Sequence, residues 1–428
     1  MLLLAGCGPG EREARPFTGR WESLGFGLYL DIHGGDVDIY EHTAVHCYPV
    51  AAGSARGISD VFSLEGERLV LRDGGRVVEF EAIATVPERC VAPLDASLSS
   101  VFGITIASVA EHLLPAPSAA WLAEAAAIGS ALAAGATPAE THAALVAALS
   151  LLSDPEIRLA AGNGAVPPSW PPPPDLAAGL TLAWESAWGG RALVGEAAPG
   201  VAYVGFLRLV AEGADDQRAL AAALDGALAG ADAAVIDLRA ASGGVEEAAL
   251  QVATRFVPTE RVVATLLARQ GDGVVAAGGL SVTPRATGTF AGLVVVLVGP
   301  ATSGAGELLA RVLAELPGVT VVGEPSSGSP REPLVRALPN GWSVGIPNLQ
   351  VIGPDGSEWV GTPLIPDVIA ATTIADLTAG RDPGLEAARA EVAKSAIRNS
   401  QFAIRRRIVG PTLRRAMGER RNRAGAFG

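Results

Sequence analysis

The sequence predicts a mixed α/β protein that begins with a small antiparallel β domain. Three observations support this fold class. Residues 16–90 alternate apolar and polar side chains as strands do, and residues 91–165 carry apolar side chains at helical spacing. From residue 176 onward, strand patterns alternate with helix patterns. Hydrophobic residues make up 49% of the 428 residues, which is enough for a large core in two or three domains.

Residues 1–15 contain a candidate lipidation site. The sequence LAGC, Leu4–Cys7, has the shape of a bacterial lipobox, although only six residues precede Cys7. We interpret this segment as a truncated lipoprotein leader and linker, with export to the cell envelope and a membrane anchor at Cys7; a chance match is the alternative. In an exported protein, Cys47 and Cys90 could form one disulfide, and two buried free thiols are the alternative.

Residues 16–90 carry two hairpin signals. Strand-like runs flank Gly34-Gly35 and again Gly74-Gly75. Three histidines, His33, His42 and His46, also lie here, but their spacing matches no strong metal motif, so they are predicted to be ordinary strand residues. The sequence predicts neither a metal nor a cofactor.

The rest of the chain divides at a proline run. Residues 91–165 are predicted to be helical, with Thr137, Pro138 and Glu140 opening one helix as a capping box. The proline-rich stretch 166–175 predicts a stiff linker, and 176–375 the α/β domain. The tail 376–428 has ten basic residues and one acid between Lys394 and Arg423, which is typical of a solvated, partly disordered end; contact with anionic lipid or a partner is the alternative. A net charge of −13 argues against nucleic-acid binding.

Six segments of the α/β region occur in a recognisable order: GVAYVGFLRL, DAAVIDLRAASGG, LVVVLVGPATSGAGELLARVL, VTVVGEPSSG, LPNGWSVGIP and GTPLIPD. Together they resemble the catalytic domain of the tail-specific (C-terminal processing) serine protease family, which includes the tricorn core and interphotoreceptor retinoid-binding protein. The resemblance covers 176–375. It implies a ClpP/crotonase-like spiral core, with 91–165 as the N-terminal helical subdomain. The short interval between Asp154 and Tyr203 leaves no room for the PDZ domain that many members carry.

The same resemblance implies that the usual catalytic groups are substituted. In the family, the nucleophilic serine lies three residues before a glutamate. If Glu307 is that glutamate, Gly304 occupies the nucleophile position and Ser303 lies one residue early. The family's lysine position falls on Ser329, and the histidine position of other members falls on Glu156. An offset of one residue in a sharp turn is expected to rotate the Ser303 side chain away from the cleft.

The oxyanion hole, by contrast, is expected to persist. Gly243 and Gly244 follow the DLR strand as they do in the family, and Ala305 supplies the N–H after the nucleophile position. Backbone donors need no particular side chain, so their presence says little about activity. The glycines could equally serve a tight turn with close packing.

Three functions are compatible with these residues. We favour an exported, catalytically degenerate protein that binds a peptide or a small apolar ligand. The second is an active serine-type endopeptidase in which Ser303 attacks with Glu156 or Glu358 as the base. The third is an envelope interaction protein that acts through residues 16–90.

Overall fold

A computed structural model of the protein describes residues 15–55, 57–73, 76–91, 95–132, 135–152, 154, 156–161, 164–165, 182–211 and 213–397. The predicted leader with Cys7, the linker 166–175, the Gly74-Gly75 turn and the tail from residue 398 lie outside this part of the chain. The fold class predicted from the sequence is confirmed.

The described strands and helices are numbered in chain order. Strands β1 to β21 are Gly19–Ser23, Leu28–His33, Asp36–His42, Cys47–Ser54, Phe62–Glu65, Arg68–Asp73, Arg76–Ile83, Arg158–Ala161, Gly164–Ala165, Trp184–Ala187, Ala192–Ala198, Val201–Phe206, Ala233–Asp237, Arg261–Gln270, Gly273–Val282, Leu293–Val298, Val319–Gly323, Leu334–Ala337, Ser343–Ile346, Leu349–Ile352 and Val368–Ile369. Helices α1 to α10 are Ile58–Val61, Glu88–Val91, Leu98–His112, Ala119–Ser130, Pro138–Ser150, Gly213–Leu228, Glu246–Ala253, Ala305–Ala314, Ile374–Thr378 and 383–397. Two short 3-10 helices are Arg15–Phe17 and Trp188–Gly190.

The first sheet contains both predicted hairpins. Strands β2 and β3 pair with His33 opposite Asp36, and β6 and β7 pair with Asp73 opposite Arg76. The sheet does not end with the N-terminal region, because β15, β14 and β20 continue it in the order β20-β14-β15-β7-β1-β2-β3-β4. The N-terminal strands and three strands of the α/β region therefore share one sheet.

The second sheet is the core of the α/β region. Its order is β10-β11-β12-β13-β16-β17-β21, and β12, β13, β16, β17 and β21 run parallel. Strands β12 and β13 are buried at every residue, as expected for a parallel sheet covered on both faces. The turn that follows β16 leads into α8 and carries the candidate site.

The helical region packs against a smaller third sheet of order β18-β19-β8-β9. Helices α3, α4 and α5 surround buried apolar residues such as Val101 and Leu145. The predicted capping box is confirmed, since Thr137 accepts from the Glu140 N–H while Glu140 accepts from the Thr137 N–H. Strand β8 follows directly, so the helical region ends beside the α/β region.

Two buried arginines join the parts of the chain. Arg336 of β18 is 1% exposed and lies 3.0 Å from His112 and 3.8 Å from Glu41. Arg239, which follows β13, pairs with Asp237 at 2.6 Å and with Asp382 at 2.7 Å. Because Asp382 immediately precedes α10, this ion pair fixes the start of the last described helix against the α/β sheet.

None of the described helices is both long enough and apolar enough to cross a membrane.

Candidate functional site

The turn between β16 and α8 has the backbone shape of a nucleophile site. Strand β16 ends at Val298, α8 begins at Ala305, and Gly304 between them has φ 56° and ψ −129°. Side-chain-bearing residues adopt this conformation only under strain, which sharp strand-to-helix nucleophile turns impose. The Gly304 N–H donates to the Ser329 carbonyl at 2.5 Å, which brings the nucleophile and lysine positions of the family together.

The space for a side chain at position 304 is already filled. A Cβ atom on Gly304 would lie 2.7 Å from the Cα of Gly243 and 3.1 Å from its carbonyl carbon. Contacts that short involve backbone rather than a flexible side chain, so the Gly243 loop itself would have to move. The loop predicted to form the oxyanion hole thus packs onto the place where a nucleophile would project.

Ser303 makes a different set of contacts from a catalytic serine. It is 3% exposed, and its Oγ accepts a hydrogen bond from the Gly243 N–H at 3.2 Å. Its carbonyl accepts from the same N–H at 3.1 Å. Within the described residues no imidazole, amine or carboxylate is hydrogen-bonded to Ser303 Oγ. One predicted oxyanion donor is therefore occupied by the neighbour of the nucleophile position.

The other predicted oxyanion donors are free of such contacts. In the described part of the chain, the N–H groups of Gly244 and Ala305 have no hydrogen-bond acceptor. Gly244 has φ 113°, and a Cβ there would lie 2.4 Å from the Leu209 carbonyl oxygen, so the position requires glycine for packing as well. The geometry is compatible with both roles of Gly244, as an oxyanion donor and as a glycine that the tight turn requires.

A pocket of roughly 170 Å³ lies at this turn. It gathers most of the site residues predicted from the sequence: Glu156, Gly243, Gly244, Ser303, Gly304 and Ser329. Ser329 is held in place through its backbone, because its N–H donates to Glu307 Oε2 at 2.8 Å. Glu358, the other candidate base, accepts from the N–H groups of Val351 and Val360, as a loop-fixing residue does.

Two arginines of the pocket were missed from the sequence. Arg331 is 4% exposed and binds Glu156 Oε2 through its Nε, and its Nη1 donates to the Leu349 carbonyl at 2.6 Å. Arg158 is the first residue of β8 and lies beside Gly243. The only sequence feature that could have indicated these arginines is their position two residues after a substituted catalytic position. Arg158 follows Glu156 in this way, and Arg331 follows Ser329.

Glu156 has an unusual electrostatic environment. Burial raises its pKa to about 7, even though the Arg331 guanidinium favours the charged form. Its second oxygen, Oε1, is buried and has no hydrogen-bond partner in the described part of the chain. Such an acceptor is costly unless a ligand or water uses it.

We expect Glu156 to make stability depend on pH between about 4.5 and 7. The folded pKa lies above the ordinary value of 4.5, so the folded state binds more protons in this window. This contribution is complete below pH 4.5 and is lost as the pH rises through 7. Between pH 5 and pH 8, the free energy of unfolding of the wild type should fall by roughly 2 kcal/mol relative to Glu156→Gln, measured by urea denaturation. Glu67→Gln, on an exposed turn, is the control. A difference that stays constant or grows with pH would contradict the assignment.

The cysteines and histidines of the N-terminal strands lie away from this pocket. Cys47 and Cys90 form a disulfide with a Cα–Cα distance of 4.6 Å. His33 lies 3.0 Å from Asp38, and His42 stacks on Tyr29. Among the described residues there is no group of three or more metal-binding side chains.

Comparison with known proteins identifies the α/β region. Residues 201–370 match the model of peptidase family S41. The structure of a putative peptidase from Parabacteroides merdae is similar with a TM-score of 0.56 and 20% identity, over 70% of this chain and 97% of that one. A lipoprotein from Streptococcus agalactiae follows with a TM-score of 0.49 and 12% identity, over 67% and 96% of the two chains. The photosystem II D1 C-terminal processing protease has a TM-score of 0.41 and 15% identity, over 65% and 94%. No curated protein matches the sequence.

Residues 201–370 are therefore similar to peptidase family S41, and the resemblance to the tail-specific protease family is confirmed. The missing PDZ domain remains a prediction from the sequence.

Proposed function

We propose that this protein is a catalytically inactive member of its family that binds peptides. The observation that carries the proposal is the geometry of Gly304. The position with the nucleophile-turn backbone has no side chain, and the Gly243 backbone lies where that side chain would be. Removing one member of a catalytic unit removes most of its effect, and the lysine and histidine positions are also replaced here, by Ser329 and Glu156.

The surroundings of the pocket support a peptide ligand. Among the described strands, β18 pairs only with β19, so it forms one edge of the third sheet. Val335 of this strand lines the pocket and is 55% exposed. Edge strands have unpaired backbone groups that an extended peptide can bind, while adjacent pockets read its side chains.

An active peptidase that uses Ser303 is the competing candidate. Two observations favour it: Ser303 lines the pocket, and Glu156 has a pKa near neutrality, as a general base requires. Against it, Ser303 Oγ accepts from the Gly243 N–H, so the hydroxyl uses a donor that an oxyanion would need.

A fluorophosphonate probe separates the two candidates. We expect the wild type and Ser303→Ala to show the same background labelling, because no base among the described residues is hydrogen-bonded to the hydroxyl. Labelled peptides should bind both proteins equally and remain uncleaved, as followed by mass spectrometry. Ser150→Ala, on the exposed end of α5, is the matched control for background serine labelling. Wild-type labelling that disappears in Ser303→Ala would overturn the proposal.

Export to the cell envelope is part of the same proposal. The Cys47–Cys90 disulfide and the LAGC sequence around Cys7 support it. Cell fractionation should recover the full chain outside the cytoplasm with the disulfide formed, as judged by thiol alkylation. Recovery in the cytoplasm with two free thiols would contradict it.

A further inference from the structure

A buried polar cluster lies where the first sheet, helix α3 and strand β18 meet. Its centre is Arg336 of β18, which is 1% exposed. The guanidinium donates through Nη2 to the Phe26 carbonyl, and the same nitrogen lies 3.0 Å from Nε2 of His112 at the end of α3. Its Nη1 lies 3.8 Å from Oε1 of Glu41 on β3. These groups belong to three different parts of the chain, so the cluster holds those parts together.

The contact between Arg336 and His112 requires a neutral imidazole. A guanidinium only donates hydrogen bonds, so Nε2 of His112 must be the acceptor and cannot carry a proton. His112 is 3% exposed, so water does not replace this contact. An imidazolium would place a second donor and a second positive charge 3.0 Å from the guanidinium. Protonation of His112 therefore breaks the contact.

His42 adds a second neutral imidazole beside the first. It is 8% exposed and stacks on Tyr29 with the ring centroids 3.8 Å apart. Its Nε2 is buried without a hydrogen-bond partner in the described part of the chain, and it lies 3.6 Å from Oε1 of Glu22. Burial lowers the pKa of His42 to about 4 and the pKa of His112 well below 6.5, and the positive charge of Arg336 lowers both further.

The charges around the two rings are balanced only while both rings are neutral. Among the described residues, three cations and three carboxylates surround the rings, either directly or across Arg336: Arg89, Arg269, Arg336, Glu22, Glu41 and Glu111. The phenols of Tyr29 and Tyr48 also face the cluster and are uncharged at neutral pH. Protonation of both histidines would add two positive charges that no carboxylate offsets. Because burial of unpaired charge is costly, acid works against the closed cluster.

The parts that meet at the cluster have separate apolar cores. The buried apolar side chains of α3, α4, α5 and the third sheet form one core, which includes Val101 and Val344. Those of the first and second sheets form another, which includes Ile32 and Val296. Among the described members of the first of these cores, Tyr48 is the one that comes from the first sheet. The two parts can therefore separate at the junction while each core stays packed.

We propose that His42, His112 and Arg336 form an acid-sensitive latch. At neutral pH the latch is closed, with His112 accepting a hydrogen bond from Arg336. Protonation of His112 ends this bond, and the junction of the first sheet, α3 and β18 opens to water. Val335 of β18 lines the pocket beside Gly304, so the strand that acid releases is also a wall of that pocket. The latch contains no residue that lines the pocket, and it does not depend on the proposed peptide binding.

The direction of the pH effect follows from the burial of the two rings. Both pKa values in the closed form lie below the ordinary value of 6.5, so the open form binds more protons once the pH falls below 6.5. The closed latch is fully stable above pH 6.5 and weakens until the pH falls through the closed-form value, about 4 for His42. From pH 7 to pH 5, each ring that the opening exposes should raise the opening constant by about twentyfold.

Hydrogen exchange, followed by mass spectrometry on the full-length, disulfide-bonded protein, tests the latch. After correction for the intrinsic effect of pH on exchange, the opening constant of amides in 98–112 and 334–337 should rise at least about twentyfold from pH 7 to pH 5. At pH 5 it should exceed the opening constant of β13 by at least about tenfold. His112→Gln keeps an oxygen acceptor for Arg336 but cannot be protonated, and it should reduce the rise by at least about tenfold. His33→Gln, at an exposed position of β2, is the matched control and should keep the full rise.

A measurement without any substitution gives a second test. In protein with ¹⁵N-labelled histidine, at least two of the five rings, those of His42 and His112, should remain neutral in the folded wild type at pH 5. Protonation of all five rings near pH 6.5 in the folded protein would overturn the latch.

Two results of the exchange experiment would also overturn it. Opening constants of 98–112 and β13 that are equal at both pH values would mean that the protein unfolds as one unit. A rise that His112→Gln leaves unchanged would mean that His112 does not control the junction. If His112→Gln does not fold at pH 7, the exchange of the wild type and its histidine signals still decide between a latch and a junction that does not respond to acid.

Discussion

Replacing Arg239 with leucine is expected to lower the free energy of unfolding by about 4 kcal/mol. Arg239 is 5% exposed between Asp237 and Asp382, both of which are fully buried, and the Tyr203 hydroxyl donates to Asp237 at 2.9 Å. Without the guanidinium, the two buried carboxylates would lose the cation that pairs with both of them. Burial disfavours the Asp382 carboxylate, yet hydrogen bonds from Arg239 hold its pKa below the ordinary value, so the pair remains charged at neutral pH.

The loss of stability in Arg239→Leu should appear first in helix α10. Because Asp382 precedes α10, amides in 383–397 should exchange with deuterium faster in Arg239→Leu than in the wild type. Arg218→Leu is the control, since Arg218 forms an exposed pair with Asp215 and should cost less than about 1 kcal/mol. Equal losses in the two variants, measured by urea denaturation, would show that the buried pair adds little.

Introducing serine at Gly304 is expected to destabilise the protein by about 3 kcal/mol without creating activity. Two costs combine: φ is 56° at this position, and the new Cβ would lie 2.7 Å from Gly243 Cα. To relieve this clash, the Gly243 loop would have to move, and the Gly243 N–H, a predicted oxyanion donor, would leave its present position. The Gly304→Ser variant should therefore show no fluorophosphonate labelling above that of the wild type.

A second glycine separates the two costs. Gly66 has φ 63° and an open surrounding, with nothing within 4 Å of a Cβ atom. Gly66→Ser should therefore show only the backbone cost, about 1 kcal/mol. If Gly304→Ser costs no more than Gly66→Ser, the space at position 304 is not closed. Labelling of Gly304→Ser by the probe above the wild-type level would contradict this prediction. It would mean that the site lacks only a nucleophile to be reactive.

Much of the local structure follows from short-range sequence signals. The Gly34-Gly35 turn, the capping box at Thr137 and the strand-turn-helix around Gly304 each rest on residues within a few positions of one another. The alignment on Glu307 also finds the position with nucleophile-turn geometry, because that geometry depends on the local backbone. Ser329 and Glu156, placed by family resemblance, line the same pocket as Gly304.

The features that the sequence did not predict depend on contacts between residues that are distant in the sequence. The sequence around Gly304 does not indicate that the Gly243 backbone fills the space for a side chain at position 304. That contact depends on how two loops, distant in the sequence, pack against each other. The pairing of Glu156 with Arg331 spans two regions of the chain and carries no periodic signal. The continuation of the first sheet into β15 was missed for the same reason, because hairpin patterns show which strands are adjacent in sequence but not which hairpins meet.

The shared ten-stranded sheet constrains the order in which the protein can fold during synthesis. Strand β7 is complete at Ile83, but its neighbour β15 leaves the ribosome only after Gly273 has been added, where Gly278 comes to lie opposite Arg76. Until then, the start of β7 at Arg76 lacks its partner on the β15 side, and unpaired strand edges promote aggregation. Such long-range pairing is slow to form. An N-terminal fragment that ends near residue 90 is consequently expected to be a client for chaperones rather than a free-standing unit.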